Sequence, residues 1–162
     1  MAELLAPIAI DALAALPEGC RWSVDQPIAG LASLSPVQGL IEARIEGPLL
    51  RVVAEAHTSV ELRCDRCLQT YAQPLQVNAS ERLALGTSSD ALDEALAFDA
   101  DGISEQIDPA GSFDPQQWLY EQLCLQLPTV NRCGSTCPGP ASWGSDQTVI
   151  DPRWAALKRL QP

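Results

Sequence analysis

The sequence has few of the residues on which enzyme active sites usually depend. Its 162 residues include one histidine, His57, and they contain neither a glycine-rich phosphate loop nor a nucleophile elbow. His57 falls on the polar side of an alternating pattern, which predicts a surface position. The acidic residues cluster in a run that has the composition of a solvated segment. The sequence therefore predicts a protein that is not an enzyme and has no small-molecule substrate.

Basic residues are scarce and unevenly placed. The chain has 10 Lys and Arg against 21 Asp and Glu, a formal net charge of −11. Leu83 to Asn131 contains no basic residue. Such a balance excludes general phosphate neutralisation of a nucleic acid, so any RNA contact must be local. Five aspartates in this stretch are predicted to form an acidic surface for a partner, and they are Asp90, Asp93, Asp99, Asp101 and Asp108.

Long apolar runs are also absent. No uncharged apolar segment approaches the roughly 18 to 20 residues needed to span a bilayer. No basic residue precedes Arg21, so the first residues have the features of neither a secretory signal nor an Arg-rich transit peptide. We expect a soluble protein in a reducing compartment, without a membrane partner. Closely spaced cysteines in such a compartment are more often metal ligands or redox groups than disulfides.

Four of the six cysteines form two close pairs, Cys64 with Cys67 and Cys133 with Cys137. Each pair can offer both sulfurs to one metal ion, and together they would complete a four-thiolate site for one structural zinc ion. The three-residue spacer of the second pair is less typical, so reduced thiols remain an alternative. A thiol redox pair is a weaker alternative, because such pairs normally begin a helix. The other two cysteines have no obvious partner.

Three arginines stand beside these pairs, at Arg63, Arg66 and Arg132. We interpret them as contacts to RNA or to a protein partner. Two alternatives stay open. A four-thiolate zinc centre is formally dianionic, so nearby guanidinium groups could offset its charge. They could also be ordinary solvated side chains.

Apolar periodicity predicts an α+β fold. Residues from about Gly39 to Leu85 alternate with period two, which predicts an antiparallel sheet or a partly closed barrel flanked by helices. A 15-residue alternating run exceeds a usual strand, so a bulge or break is expected near His57. The first cysteine pair should then head a hairpin. Asp114 and Pro115 predict the start of a helix.

The whole chain, 1–162, is predicted to be a single domain. Residues 86–113 are predicted to be an acidic, mobile or lightly packed excursion, because the segment has few residues able to enter a core. A last short helix is expected after Asp151.

Several blocks together resemble the YceD family of bacteria and plastids. The blocks are Val60–Leu68 followed by Tyr71, then Glu121–Pro128, Cys133–Pro138 and Asp151–Lys158. One departure is Pro140, where many members have a further cysteine. The resemblance implies a factor that promotes accumulation of 23S ribosomal RNA, and hence a role in large-subunit biogenesis. Its partners would be ribosomal proteins, the 23S rRNA precursor or both, in the cytoplasm or the plastid stroma. We expect it to mask or deliver a basic ribosomal protein. The alternatives are a small zinc-stabilised RNA-binding module and, from another class, a thiol oxidoreductase.

Overall fold

The computed structural model describes residues 5–86 and 103–140. In chain order the elements are β1 (Ile8–Ala9), α1 (Ile10–Ala14), β2 (Cys20–Gln26), β3 (Val37–Glu46), β4 (Leu49–Arg63), β5 (Thr70–Leu85), β6 (Ile103–Ile107), β7 (Ser112–Phe113) and α2 (Pro115–Leu125). The described helices are short, so they flank the sheet to a smaller extent than the sequence predicted. The last predicted helix lies outside the described residues. No helix in the described ranges is long and apolar enough to cross a membrane.

The main sheet has five strands in the order β2-β3-β4-β5-β6. Neighbouring strands are antiparallel, except that β6 runs parallel to β5. The sheet is open, so the prediction of a partly closed barrel is wrong. Alternation of apolar and polar residues is the same in a sheet and in a barrel, since it reports which side of a strand is covered and not whether the edge strands meet. The sheet also begins at Cys20, before the predicted start at Gly39.

Strands β4 and β5 form one long hairpin. Their residues pair without interruption from Leu49 opposite Ala84 to Arg63 opposite Thr70. The break predicted near His57 is therefore wrong. Thr58, the polar residue on the covered side, is buried, and its hydroxyl donates a 2.9 Å hydrogen bond to the Ser35 carbonyl. Because that hydroxyl is satisfied inside the fold, the strand can remain regular. His57 is exposed, as predicted.

One face of the sheet is covered and the other is open to solvent. Even-numbered residues of β4 from Leu50 to Val60 are buried, and Ile41 and Val77 of the neighbouring strands are buried on the same side. Odd-numbered residues of β4 are exposed or half-buried. Residues directly opposite one another share a face of the sheet. The outward side chains of β3, β4 and β5 therefore share one face, on which polar and charged residues predominate.

Helix α2 covers part of the buried face. Asp114 caps it, accepting hydrogen bonds from the backbone N–H groups of Gln116 and Gln117 at 2.9 and 3.1 Å. Trp118 is buried, and its indole N–H donates a 2.6 Å hydrogen bond to Glu81 of β5. The helix predicted from Asp114 and Pro115 is confirmed.

Strand β6 lies within the range predicted to be a lightly packed excursion. Residues 103–107 pair with β5, and Asp108 follows in an exposed turn in which its carboxylate accepts a 2.8 Å hydrogen bond from the Ala110 N–H. Residues 87–102 lie outside the described part of the chain.

Candidate metal centre

Two loops bring the cysteine pairs together at the tip of the β4–β5 hairpin. Cys64 and Cys67 stand in the turn between these strands, and Cys133 and Cys137 come from the segment after helix α2. All four sulfur atoms lie within 4.8 Å of one another. The Sγ atoms of Cys64 and Cys137 are 3.9 Å apart, and those of Cys67 and Cys133 are 3.6 Å apart.

These distances fit a tetrahedral metal site. Zinc–sulfur bonds of about 2.3 Å in a tetrahedron place neighbouring sulfurs about 3.8 Å apart. A disulfide would need about 2.05 Å, and none of the six cysteines, all of which lie in the described ranges, forms one. The donor set is four thiolates with no open position, which is the composition of a structural zinc site.

The first loop is a tight turn that aims its two thiols inward. The Leu68 N–H donates a 2.9 Å hydrogen bond to the Cys64 carbonyl, and the Cys64 N–H donates one of the same length to Gln69. Leu68 has a φ of 64°, a left-handed conformation uncommon for a branched residue. Cys64 is fully buried, whereas Cys67 is partly exposed. The turn therefore closes over one sulfur and leaves the other near the surface.

Asp65 fastens the second loop to the first. Its N–H donates a 2.9 Å hydrogen bond to the Asn131 carbonyl, and its carboxylate accepts a 2.7 Å hydrogen bond from the Asn131 N–H. Gly134, with a φ of 121°, then allows the chain to turn so that the Cys137 N–H reaches the Gly134 carbonyl at 3.3 Å. These bonds hold the two cysteine pairs side by side.

The local environment favours a thiolate at one cysteine. Backbone N–H groups of Cys67 and Cys133 point at the Cys64 sulfur and lower its pKa to about 6. Burial, together with the neighbouring Cys67 thiol, raises the pKa of Cys133 to about 12. Backbone N–H groups that donate to a ligating sulfur are a means by which a protein stabilises a metal–thiolate centre.

The three arginines singled out from the sequence lie around this tip. Arg63, Arg66 and Arg132 are all exposed. The Arg63 guanidinium donates a 3.0 Å hydrogen bond to the Leu68 carbonyl, so this side chain is folded against the turn. Of the aspartates assigned to the acidic surface, Asp108 is exposed and far along the chain from this site. Asp90, Asp93, Asp99 and Asp101 lie outside the described residues.

Asp65 and Asn131 are the site residues that sequence reasoning missed. An aspartate between two cysteines suggests a turn, which is how the sequence alone presents Asp65. Asn131 lies 66 positions away in sequence, and nothing in local spacing indicates which residue will meet Asp65. The contact follows from the placement of the two loops.

The fold and the site together define a small, open β-sheet protein whose hairpin tip carries a four-cysteine cluster able to hold a metal ion. Residues 52–161 match the sequence model of the family described as large ribosomal RNA subunit accumulation protein YceD. Because this match covers more than half of the chain, the chain belongs to the YceD family, and the resemblance noted in the sequence is confirmed. No curated protein and no solved structure matches the chain.

Proposed function

We propose that this protein is a non-enzymatic factor that promotes accumulation of 23S rRNA during assembly of the large ribosomal subunit. The family match over residues 52–161 carries the proposal, because the family description names large ribosomal RNA subunit accumulation. Its partners would be ribosomal proteins, the 23S rRNA precursor or both. Its place of action would be the cytoplasm, or the stroma for a plastid relative.

In this role the cysteine cluster would hold two segments of the chain together. Cys64, Cys67, Cys133 and Cys137 would hold one zinc ion, which supplies a strong cross-link between the hairpin and the segment after α2. Asp65 would align the loops before and after metal binding. A sizeable apolar core already exists, so zinc would fix a local surface and not the whole fold.

Charge suggests how the factor would meet its partner. The acidic stretch that includes Asp90, Asp93, Asp99, Asp101 and Asp108 would cover a basic ribosomal protein, or compete with rRNA for it. Opposite charges of this kind raise association rates and suppress wrong partners. The arginines around the cysteine cluster would touch RNA or the same partner.

A deletion tests the cellular role. We expect loss of the gene to lower mature large-subunit particles relative to small-subunit particles in a sucrose gradient, and to lower 23S rRNA relative to 16S rRNA. The defect should deepen in the cold, because stalled assembly intermediates escape slowly at low temperature. Restoring the wild-type gene is the control. Unchanged subunit ratios across growth temperatures would refute the proposal.

A small zinc-stabilised RNA-binding module is the second candidate. The observation that favours it is the position of Arg63, Arg66 and Arg132 around one cysteine cluster, all three exposed. A thiol oxidoreductase has less support, because Cys64 follows a long strand and Cys67 precedes another. Redox pairs of this spacing normally begin a helix, whereas in the described part of the chain this pair lies in a hairpin turn. Turnover of a dithiol substrate would favour that third reading.

A further inference from the structure

A row of three arginines crosses the solvent-exposed face of the sheet, away from the cysteine cluster. Arg44 of β3 lies directly opposite Arg51 of β4, and Arg51 lies directly opposite Arg82 of β5. Residues so paired project from the same face, with Cβ atoms about 5 Å apart. The arginine row, defined as these three residues, is separated from Arg63 by 12 positions of β4, about 40 Å of extended strand.

Two neighbouring arginines of the row, Arg44 and Arg51, share one carboxylate. Glu46 accepts a 3.1 Å hydrogen bond from the Arg44 Nε and lies 3.7 Å from an Arg51 terminal nitrogen. The side chains of Arg44 and Arg51 remain 51% and 46% exposed. Arg21, on the same face, differs because it pairs with its own carboxylate, Glu42, at 2.5 Å. Like charges placed directly opposite one another destabilise a sheet. Glu46 offsets part of this cost at Arg44 and Arg51, and a bound anion would offset more of it.

The row borders a concave surface. A cavity of about 290 Å³ is lined by Glu18, Glu42, Ala43, Arg44, Arg51 and Val53. Five of its six lining residues come from the adjacent strands β3 and β4, which pair in continuous register, and Glu18 comes from the segment before β2. The site therefore offers hydrogen-bond donors with positive charge beside carboxylate acceptors.

We propose that the arginine row binds consecutive phosphates of a single-stranded RNA segment. Arginine forms bidentate, charge-assisted hydrogen bonds with phosphate, and a line of such groups follows a nucleic-acid backbone. The carboxylates favour RNA over an acidic protein as the occupant. Glu18 and Glu42 would repel phosphates and acidic side chains alike, but an unpaired RNA strand also presents base amino groups and 2′-hydroxyls that can donate hydrogen bonds to these carboxylates. This proposal rests on the proposed function, since it names the surface by which the factor would touch rRNA.

The test measures binding of a short, fluorescently labelled single-stranded RNA of mixed sequence to the full chain by anisotropy, across a series of salt concentrations. Arg51→Gln removes the central arginine. We expect the Kd to rise about tenfold at low salt. The slope of log affinity against log salt should fall by about 0.7 for one lost phosphate contact. Arg21→Gln, on the same face but outside the row, is the matched control and should leave both quantities unchanged.

Folding is monitored in parallel by thermal unfolding. Arg51→Gln relieves repulsion between neighbouring arginines, so its melting temperature should stay equal to that of the wild type or rise. Equal RNA affinity of Arg51→Gln and wild type would overturn the proposal, as would an equal loss in Arg21→Gln or no RNA binding by the wild type at low salt. A poly-glutamate peptide whose affinity depends on Arg51 while that of RNA does not would assign the row to an acidic protein instead.

Two outcomes separate this inference from the proposed function. If deletion lowers 23S rRNA but the Arg51→Gln gene restores it fully and the variant binds RNA normally, the cellular role stands and the arginine row does not bind RNA. If deletion leaves rRNA unchanged while Arg51→Gln loses RNA affinity, the row still binds RNA and the cellular role fails.

Discussion

The Asp65 side chain links the two halves of the cysteine cluster. It lies between two cysteines of the first pair, yet both of its interactions reach Asn131, next to the second pair. Residues of this kind orient ligands without touching the metal, and their loss commonly lowers metal affinity by about 10- to 100-fold. The contribution of Asp65 to metal binding by the four sulfurs can therefore be tested by substitution.

Zinc content and Asp65 can be examined in one series of variants. We expect protein purified under reducing conditions to carry about one zinc ion per chain. Asp65→Ala should lower zinc affinity by about tenfold, because the carboxylate that accepts from the Asn131 N–H is lost. Competition with a chromophoric chelator measures this affinity. Asp65→Asn keeps an acceptor oxygen and should bind zinc almost as tightly as the wild type.

Two results would contradict this assignment. If wild-type protein prepared in zinc-containing medium carries no zinc, the cysteine cluster is not a zinc site. An Asp65→Ala variant that holds zinc as tightly as the wild type would show that the loops are aligned without this side chain.

At the level of secondary-structure elements, the long β4–β5 hairpin positions the first cysteine pair and helix α2 positions the segment that carries the second. The hairpin carries the first cysteine pair at its tip, and α2 delivers the chain toward the second pair. Trp118 and Leu123 bury the helix against the sheet, and the hydrogen bond from the Trp118 indole N–H to Glu81 fixes it there. The orientation of α2 on the sheet therefore determines where the segment that carries the second cysteine pair starts.

The cap of α2 gives a prediction at this level. Asp114→Ala removes the acceptor for the backbone N–H groups of Gln116 and Gln117. We expect a loss of about 1 kcal/mol in the free energy of unfolding, the usual cost of removing such a cap. Denaturant unfolding followed by circular dichroism measures it. Asp114→Ser preserves a capping oxygen, so its free energy of unfolding should be close to that of the wild type. Equal stability of Asp114→Ala and wild type would show that the cap is dispensable.

At the scale of the whole molecule, the basic residues of the described ranges lie in two groups. The described basic residues are all arginines. Arg21 and the arginine row lie on the exposed sheet face, while Arg63, Arg66 and Arg132 surround the hairpin tip. The acidic stretch follows β5 in sequence. With a net charge of −11, RNA affinity at physiological salt should remain near 10⁻⁴ to 10⁻⁶ M, the range of non-specific contacts.

The acidic stretch leads to a prediction about association rates. Replacing Asp90, Asp93, Asp99, Asp101 and Asp108 with Asn should slow binding to a basic ribosomal protein, because long-range charge acts chiefly on the on-rate. Stopped-flow or surface plasmon resonance measurements at several salt concentrations test this. The rate for wild type should fall as salt rises, and the variant should show a flatter dependence. Equal on-rates for the two proteins would eliminate the acidic stretch as a binding surface.

The local pattern of the sequence was sufficient to predict several elements of this protein and the type of its candidate site. Alternation along β4 and β5 predicted a hairpin headed by Cys64 and Cys67, and Asp114 with Pro115 predicted the start of α2, because these signals depend on neighbours in the chain. The paired cysteines also pointed to a metal site by spacing alone. A family-specific combination of blocks pointed to YceD. Apart from the family blocks, which are spread from Val60 to Lys158, each of these follows from residues a few positions apart.

Tertiary structure alone decided what depends on distant residues. The sheet is open, since closure is a relation between edge strands that period-two alternation does not encode. Strand β4 pairs with β5 without interruption through His57, and the buried Thr58 hydroxyl donates its hydrogen bond to the distant Ser35 carbonyl. Asn131 meets Asp65, and Arg44, Arg51 and Arg82 form a row, only once loops and strands have taken their register. Such contacts join residues far apart in sequence, and their geometry is set by packing of the whole chain.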